Sequence, residues 1–441
     1  MLLRSALPWL ALAALAPVAM GADAPQADHV TARRYFQEAT RLCEADGGRL
    51  WGETLCGPML LVEPATRRVI ANQADAQGKL RAEDGVFVGT LPASQTIANT
   101  AVDWAGVHWS EMLWPLPAEA SVRHTMMAHE AFHRIQESLG LPADGRDSPH
   151  MDTLEGRYTV QLEWRALDAA LAAKSDAERR ARAADALAFR AARYQHFPQA
   201  EQAETALERN EGLAEYTGVI VGNRTPAEQL AMAHYDLTWH PKNDATFARS
   251  FAYPSGPAYG ILLDRYRPGW RKAIVQGGSP AGMLAAVLHV DMHAGMQTKQ
   301  DIDARAARYG GPALLASEHA RADARARRAA AYRAQLITGP VLRLPLKHMK
   351  VQFNPSNLMP LGDAGTVYPT MQVIDDWGSI EVNGGALMAG DWTLLTVAAP
   401  DGDAKGGELH GKGWTMKLAP GWQLAPGTRK GDRTISAGGA R

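Results

Sequence analysis

The feature that most constrains this chain is His129-Glu130-Ala131-Phe132-His133, an H-E-x-x-H pattern. It is flanked by Thr125-Met126-Met127-Ala128 and Arg134-Ile135-Gln136. The apolar spacing predicts a helix, and on a helix positions i and i+4 share a face. His129 and His133 can therefore close on one metal ion. Glu130 projects beside them, where it can take a proton from water on that metal. The bland alternative is a solvated helix face with two surface histidines. A random chain of this length carries the pattern roughly one time in a hundred, so it needs a partner elsewhere.

That partner is Asn210-Glu211-Gly212-Leu213-Ala214-Glu215-Tyr216, a second helical segment with carboxylates at i and i+4. A catalytic zinc takes three protein ligands and keeps one position open. Glu211 can be the third ligand, and Glu215, one turn on, can fix the tautomer of a ligand histidine. Gly212 and Ala214 are small, which predicts a close approach of this helix to the motif helix. Without the H-E-x-x-H, the same segment reads as an ordinary acidic helix face.

H-E-x-x-H followed by N-E-x-x-x-[DE] resembles the gluzincin metallopeptidases, the group of thermolysin and the aminopeptidase N type. Asn210-Glu211-Gly212-Leu213-Ala214 is similar to the Asn-Glu-Gly-Phe-Ala of the aminopeptidases. The resemblance implies one Zn2+ per chain held by His129, His133 and Glu211, with Asn210 and Glu215 in support. It covers the motif helix, the Asn210 helix and the segment around Tyr253. Two features depart from it. Arg134 is charged where the pattern usually has an uncharged residue, and a long insertion separates His133 from Glu211 where the families place about twenty residues. Tyr253-Pro254-Ser255-Gly256 is similar to the Tyr-x-x-Gly of aminopeptidase-type members, whose Tyr steadies the tetrahedral intermediate. His240 and Tyr259 are rivals for that role, and packing is the plain reading of all three.

Residues 1–21 read as a secretory signal: Arg4, an apolar stretch over 6–20, and a small-x-small cleavage site at Ala19-Met20-Gly21. No other apolar run reaches spanning length. The mature chain is therefore expected to be periplasmic or secreted, without a transmembrane segment. Cys43 and Cys56 are the only cysteines. Pairing suits an oxidising compartment, and a cysteine metal site is the weaker alternative. With 46 Lys+Arg against 47 Asp+Glu, the net charge of −1 supplies no global field for nucleic acid.

The fold class expected is α+β: a zincin-like catalytic domain with an N-terminal mixed sheet and a helical subdomain, then a C-terminal all-β domain. Residues 22–122 supply a helix over 28–45 and strands at 59–62, 68–70, 86–88, 98–102 and 107–114. The last of these alternates and could border the cleft and pair with an extended peptide, or be an ordinary strand. Residues 123–336 are helical, with a hairpin of helices at 152–173 and 176–197 inserted between the two metal-binding segments. His150 and Arg157 at its entrance could touch substrate, though helix-start roles are the simpler reading. At 253–266, Ser255 or Gly256 can cap a helix whose first turn holds Pro257. From 337 to 441, Gly, Pro, Val, Thr and Trp rise, helical periodicity disappears, and strands are expected at 341–344, 371–374, 379–382 and 392–397.

These features point to an exported zinc peptidase acting on a peptide or protein, with Glu130 as general base and Tyr253 as oxyanion donor. The alternative is a zincin-like envelope protein that binds or supports without turnover. A purely structural metal site has no need of Glu130.

Overall fold

The computed structural model describes residues 28–92, 94–141, 148–293, 298–353, 357–403 and 407–437. The signal segment at 1–21 lies outside them. The chain is α+β and divides into two compact units, one ending at Glu318 and the other beginning at His319, within the helix Gly311–Arg333.

The first unit opens with α1, His29–Asp46. Asp28 caps it by accepting from the Thr31 N–H at 2.8 Å, and Gly47 ends it in the left-handed region at φ 57°. Six strands follow: β1 Met59–Val62, β2 Arg68–Ala71, β3 Arg81–Glu83, β4 Val86–Thr90, β5 Thr100–Trp104 and β6 Val107–Leu113. They form one sheet in the order β3-β4-β2-β1-β6-β5, antiparallel except for the β1–β6 pair. The period-2 alternation of side chains gives the sheet two apolar faces. Met59, Leu61, Ile70, Val86, Val88 and Met112 pack with Tyr35 and Phe36 of α1 and with Met126 and Met127 of the motif helix. Leu60, Val62, Val69, Ala71, Val102 and Trp109 form a separate core on the other face. The alternating strand at 107–113 is therefore internal, lying between β1 and β5. The outer strand on that side is β5, because it folds back antiparallel onto β6 in the register Thr100↔Glu111 to Trp104↔Val107.

Helix α2, Ala120–Gln136, carries the motif and packs against β5 and β6. The insertion folds as the expected hairpin, α3 Leu154–Ala172 and α4 Asp176–His196, each opened by a hydroxyl cap, Thr153 and Ser175. A short α5, Ala200–Leu207, runs into a π-helical turn, Glu208–Gly212, and then α6, Leu213–Gly222. A capping box between Thr225 and Glu228 starts α7, Pro226–Asn243. The eighth helix, α8, is Ala252–Tyr266. It begins earlier than its Ser255-Gly256-Pro257 signal suggests: Pro254 already sits in the first turn, where no backbone N–H is needed, and Pro257 lies inside the helix.

The second unit is built from two sheets of seven and five strands. The expected strands occur at Val341–Pro345, Met371–Asp375, Gly378–Val382 and Leu394–Ala398. One apolar core draws Leu342, Leu344, Leu395 and Val397 from the larger sheet and Val373, Ile380, Val382 and Met416 from the smaller. Trp377 and Trp414 are buried there, and each indole N–H donates to a backbone carbonyl, of Pro345 and Ala398, at 2.9 Å. Among the described residues no helix is long and apolar enough to cross a membrane. Cys43 and Cys56 form a disulfide, with Cα atoms 5.1 Å apart, which ties α1 to the segment leading into β1.

Candidate metal centre

The site depends on how closely α6 lies on α2. A Cβ built on Gly218 would stand 2.5 Å from the Thr125 carbonyl oxygen, and one on Gly222 2.6 Å from the Thr125 nitrogen. These two glycines make the closest approach, where Gly212 was expected to take part. Helical geometry explains the change: Gly218 and Gly222 continue the stripe of Glu211 and Glu215, which faces α2. Gly212 faces α8 instead, against Ala252 and Gly256.

This approach brings three donor atoms together. His129 Nε2 and His133 Nε2 are 3.0 Å apart, and Glu211 Oε2 lies 3.5 Å from the first and 3.4 Å from the second. Donors bound to zinc at its usual 2.0–2.2 Å in a tetrahedron lie about 3.4 Å from one another. The triangle thus matches three corners of such a site. His129, Glu130 and His133 also form a group that could hold a metal, with their ligand atoms within 4.8 Å of one another.

Hydrogen bonds assign the tautomers. The His129 Nδ1–H donates to Glu215 Oε2 at 2.7 Å, and the His133 Nδ1–H donates to Gln136 Oε1 at 2.8 Å. Each Nε2 is left facing the centre of the triangle, where a metal ion would take its lone pair in place of a proton. Gln136 continues the chain: its amide N–H donates to Asn210 Oδ1 at 3.1 Å, and the Asn210 amide donates to Glu211 Oε1 at 3.3 Å. Two side chains, Gln136 and Asn210, thus orient His133 and Glu211 against each other.

Glu130 is buried, and its Oε2 has no hydrogen-bond partner. Burial raises its pKa, against the pull of both histidines. Burial opposes charge on His129, but the hydrogen bonds to Glu211 and Glu215 outweigh it and raise its pKa well above the ordinary value. Burial also works against charge on Glu211, and the two histidines overcome it and hold the carboxyl far below the usual range. The Tyr253 hydroxyl donates to Glu211 Oε2 at 2.9 Å, and its ring stacks on His129 with centroids 5.6 Å apart. Burial and the carboxylates of Glu211 and Glu130 push the Tyr253 pKa well up, so it stays a donor.

The rivals separate clearly. Tyr259 is buried and donates to Glu163 at 2.8 Å, and Glu163 belongs to another cluster. His240 is near: its ring stacks on Tyr253 at 5.9 Å and it bonds Asp244 at 2.8 Å. His150 bonds Glu204, and buried Arg157 bonds Glu318 and covers the Phe247 ring at 3.5 Å. His348 and His410 in the second unit have exposed side chains.

Three residues had not been read from the sequence. Gln136 carried a readable sign, standing three residues after His133 on the same helix. Asp236 on α7 is buried with Oδ2 unpartnered, and burial and the Glu215 charge raise its pKa well above the ordinary value. Glu111 of β6 is buried with Oε2 unpartnered, while its Oε1 accepts the Ala98 N–H at 2.9 Å. Neither acid belongs to a motif.

Two imidazoles and one carboxylate are a donor set that could hold a divalent metal ion, and the buried oxygen of Glu130 beside them has no hydrogen-bond partner. No protein-family model, no curated protein and no solved structure matches this chain.

Proposed function

We propose that the protein is an exported zinc peptidase that cleaves peptide bonds. The observation that carries this is the triangle of His129 Nε2, His133 Nε2 and Glu211 Oε2, with the buried, unpartnered Glu130 oxygen beside it. When bound, zinc supplies Lewis-acid polarisation of a carbonyl and makes water easier to deprotonate. Glu130 accepts the proton of the attacking water and returns it to the leaving amine. A pKa raised by burial suits a group that must both take and give that proton. The Tyr253 hydroxyl can exchange Glu211 for the oxyanion that develops on the carbonyl, adding a donor where charge appears. Glu215 and the Gln136–Asn210 pair hold the ligands in place.

The substrate class is an extended peptide. Among the described residues β5 pairs only with β6, and it lies beside α2, so its outer edge can take a peptide strand by main-chain hydrogen bonds. The Cys43–Cys56 disulfide and the apolar segment at 6–20 support an oxidising, exported address.

The test is metal analysis together with digestion of a peptide library. Glu130→Gln should keep one zinc and the fold yet lose most turnover. Tyr253→Phe should lose about a hundred- to a thousand-fold in turnover with zinc unchanged. A zinc-loaded wild type that leaves every peptide intact would favour the binding or structural alternative.

A further inference from the structure

Behind the metal centre lies a second cluster of charges that the chemistry does not use. Arg190 and Arg193 of α4, Glu163 of α3, Glu204 of α5 and Glu208 at the head of the π-helical turn all have fully buried side chains. Arg190 forks onto both oxygens of Glu208, and its Nε donates to Glu163 Oε1 at 2.8 Å. Arg193 bonds Glu163 at 2.7 Å and Glu204 at 2.6 Å. Such burial is expensive, and apolar residues of the same volume often serve stability as well or better. The cluster therefore calls for a reason other than stability.

Its place in the fold supplies one. Glu204, Glu208, Glu211 and Glu215 follow a four-three-four spacing, which on an unbroken α-helix would put all four carboxylates on one stripe. The π turn Glu208–Gly212 spends an extra residue and rotates the stripe, so that Glu208 faces Arg190 while Glu211 faces the histidines. The same cluster reaches the site by a second path. Glu163 accepts the Tyr259 hydroxyl on α8, and α8 also carries Tyr253, whose hydroxyl holds the other side of Glu211.

We infer that Arg190 and Glu208 are positioning residues for the third metal ligand: their buried fork fixes the π turn that aims Glu211 at His129 and His133. The inserted hairpin α3–α4 is then the brace of the metal centre. This rests on the metal reading above.

Cobalt(II) titration of the full chain, followed by its visible absorption, tests it. Glu208→Gln keeps the side-chain length and leaves Arg190 paired with Glu163. It should melt cooperatively, bind cobalt ten- to a hundred-fold more weakly, and give a spectrum shifted toward that of Glu211→Ala. Arg190→Lys, which keeps the charge but cannot fork, should do the same. A folded Glu208→Gln with the wild-type spectrum and affinity overturns the inference and leaves the metal reading intact. Failure of both variants to fold also overturns it, because the pair would then serve the fold rather than the ligand. A wild type that binds no cobalt removes the metal reading and the inference with it.

Discussion

Gln136 shows how much of the candidate metal site lies outside its three donor atoms. It accepts a hydrogen bond from His133 Nδ1–H on one side and donates one from its own amide to Asn210 Oδ1 on the other. Glu211→Ala should abolish stoichiometric zinc, as His129→Ala and His133→Ala should. Gln136→Leu should keep the metal but weaken it ten- to a hundred-fold, by competition against a chelator of known affinity. Equal affinity in Gln136→Leu would show that the amide chain is ornamental. Glu111 carries a different lesson. Burial pushes its carboxyl up to about 7, with the Glu130 charge adding to the rise and the Ala98 N–H and Arg67 opposing it. A raised carboxyl favours the folded state while protonated, so its contribution is present at low pH and is lost as pH rises from the ordinary carboxylate range through about 7. Glu111→Gln should therefore melt higher than wild type at pH 8, and the gap should close by pH 4.5. Thermal melts at the two pH values read this directly, and a gap independent of pH would refute it.

At the scale of elements, helices and strands with strong periodicity were legible. The helix at 28–45, the strands at 59–62, 68–70 and 86–88 and the inserted hairpin all occur close to their expected bounds. What could not be read was whatever depends on a neighbour. Strand β3 has a polar three-residue sequence, Arg81-Ala82-Glu83, and exists because β4 pairs with it. The internal position of β6 follows from β5 folding back, which alternation alone cannot show. Gly212 was placed on the wrong helical face, and Gly218 and Gly222 were missed, for the same reason. Gly218→Ala should destabilise the unit, since its Cβ would meet backbone rather than a movable side chain. The expected loss is about 1–3 kcal/mol in urea unfolding, the usual cost of overpacking. Unchanged stability would mean that the two helices can slide apart.

At the scale of the whole molecule, the candidate metal centre lies in the first unit. His129, Glu130, His133, Glu211 and Tyr253 precede Glu318, which itself bonds Arg157 and Gln161 of α3. A chain ending at residue 333 should bind one zinc, measured by mass spectrometry under native conditions. Loss of zinc in a soluble, folded truncation would assign the β unit a part in the centre. The candidate site itself was legible because its ligands come as two short patterns. The support was not, because Glu208 and Arg190 acquire their partners only through the folding of the insertion, and Gln136 needs Asn210 from the second pattern beside its own His133.

The insertion has one more consequence. His133 and Glu211 are separated by roughly 80 residues, yet their ligand atoms are 3.4 Å apart. An ion held by both would act as a cross-link as well as a reagent. By the chain-entropy argument used for disulfides, tying off a loop of that length restrains the unfolded chain by about 4.5 kcal/mol. That exceeds the roughly 3 kcal/mol expected from the thirteen-residue separation of Cys43 and Cys56. The ion proposed here as a reagent would then restrain the first unit more than its disulfide does.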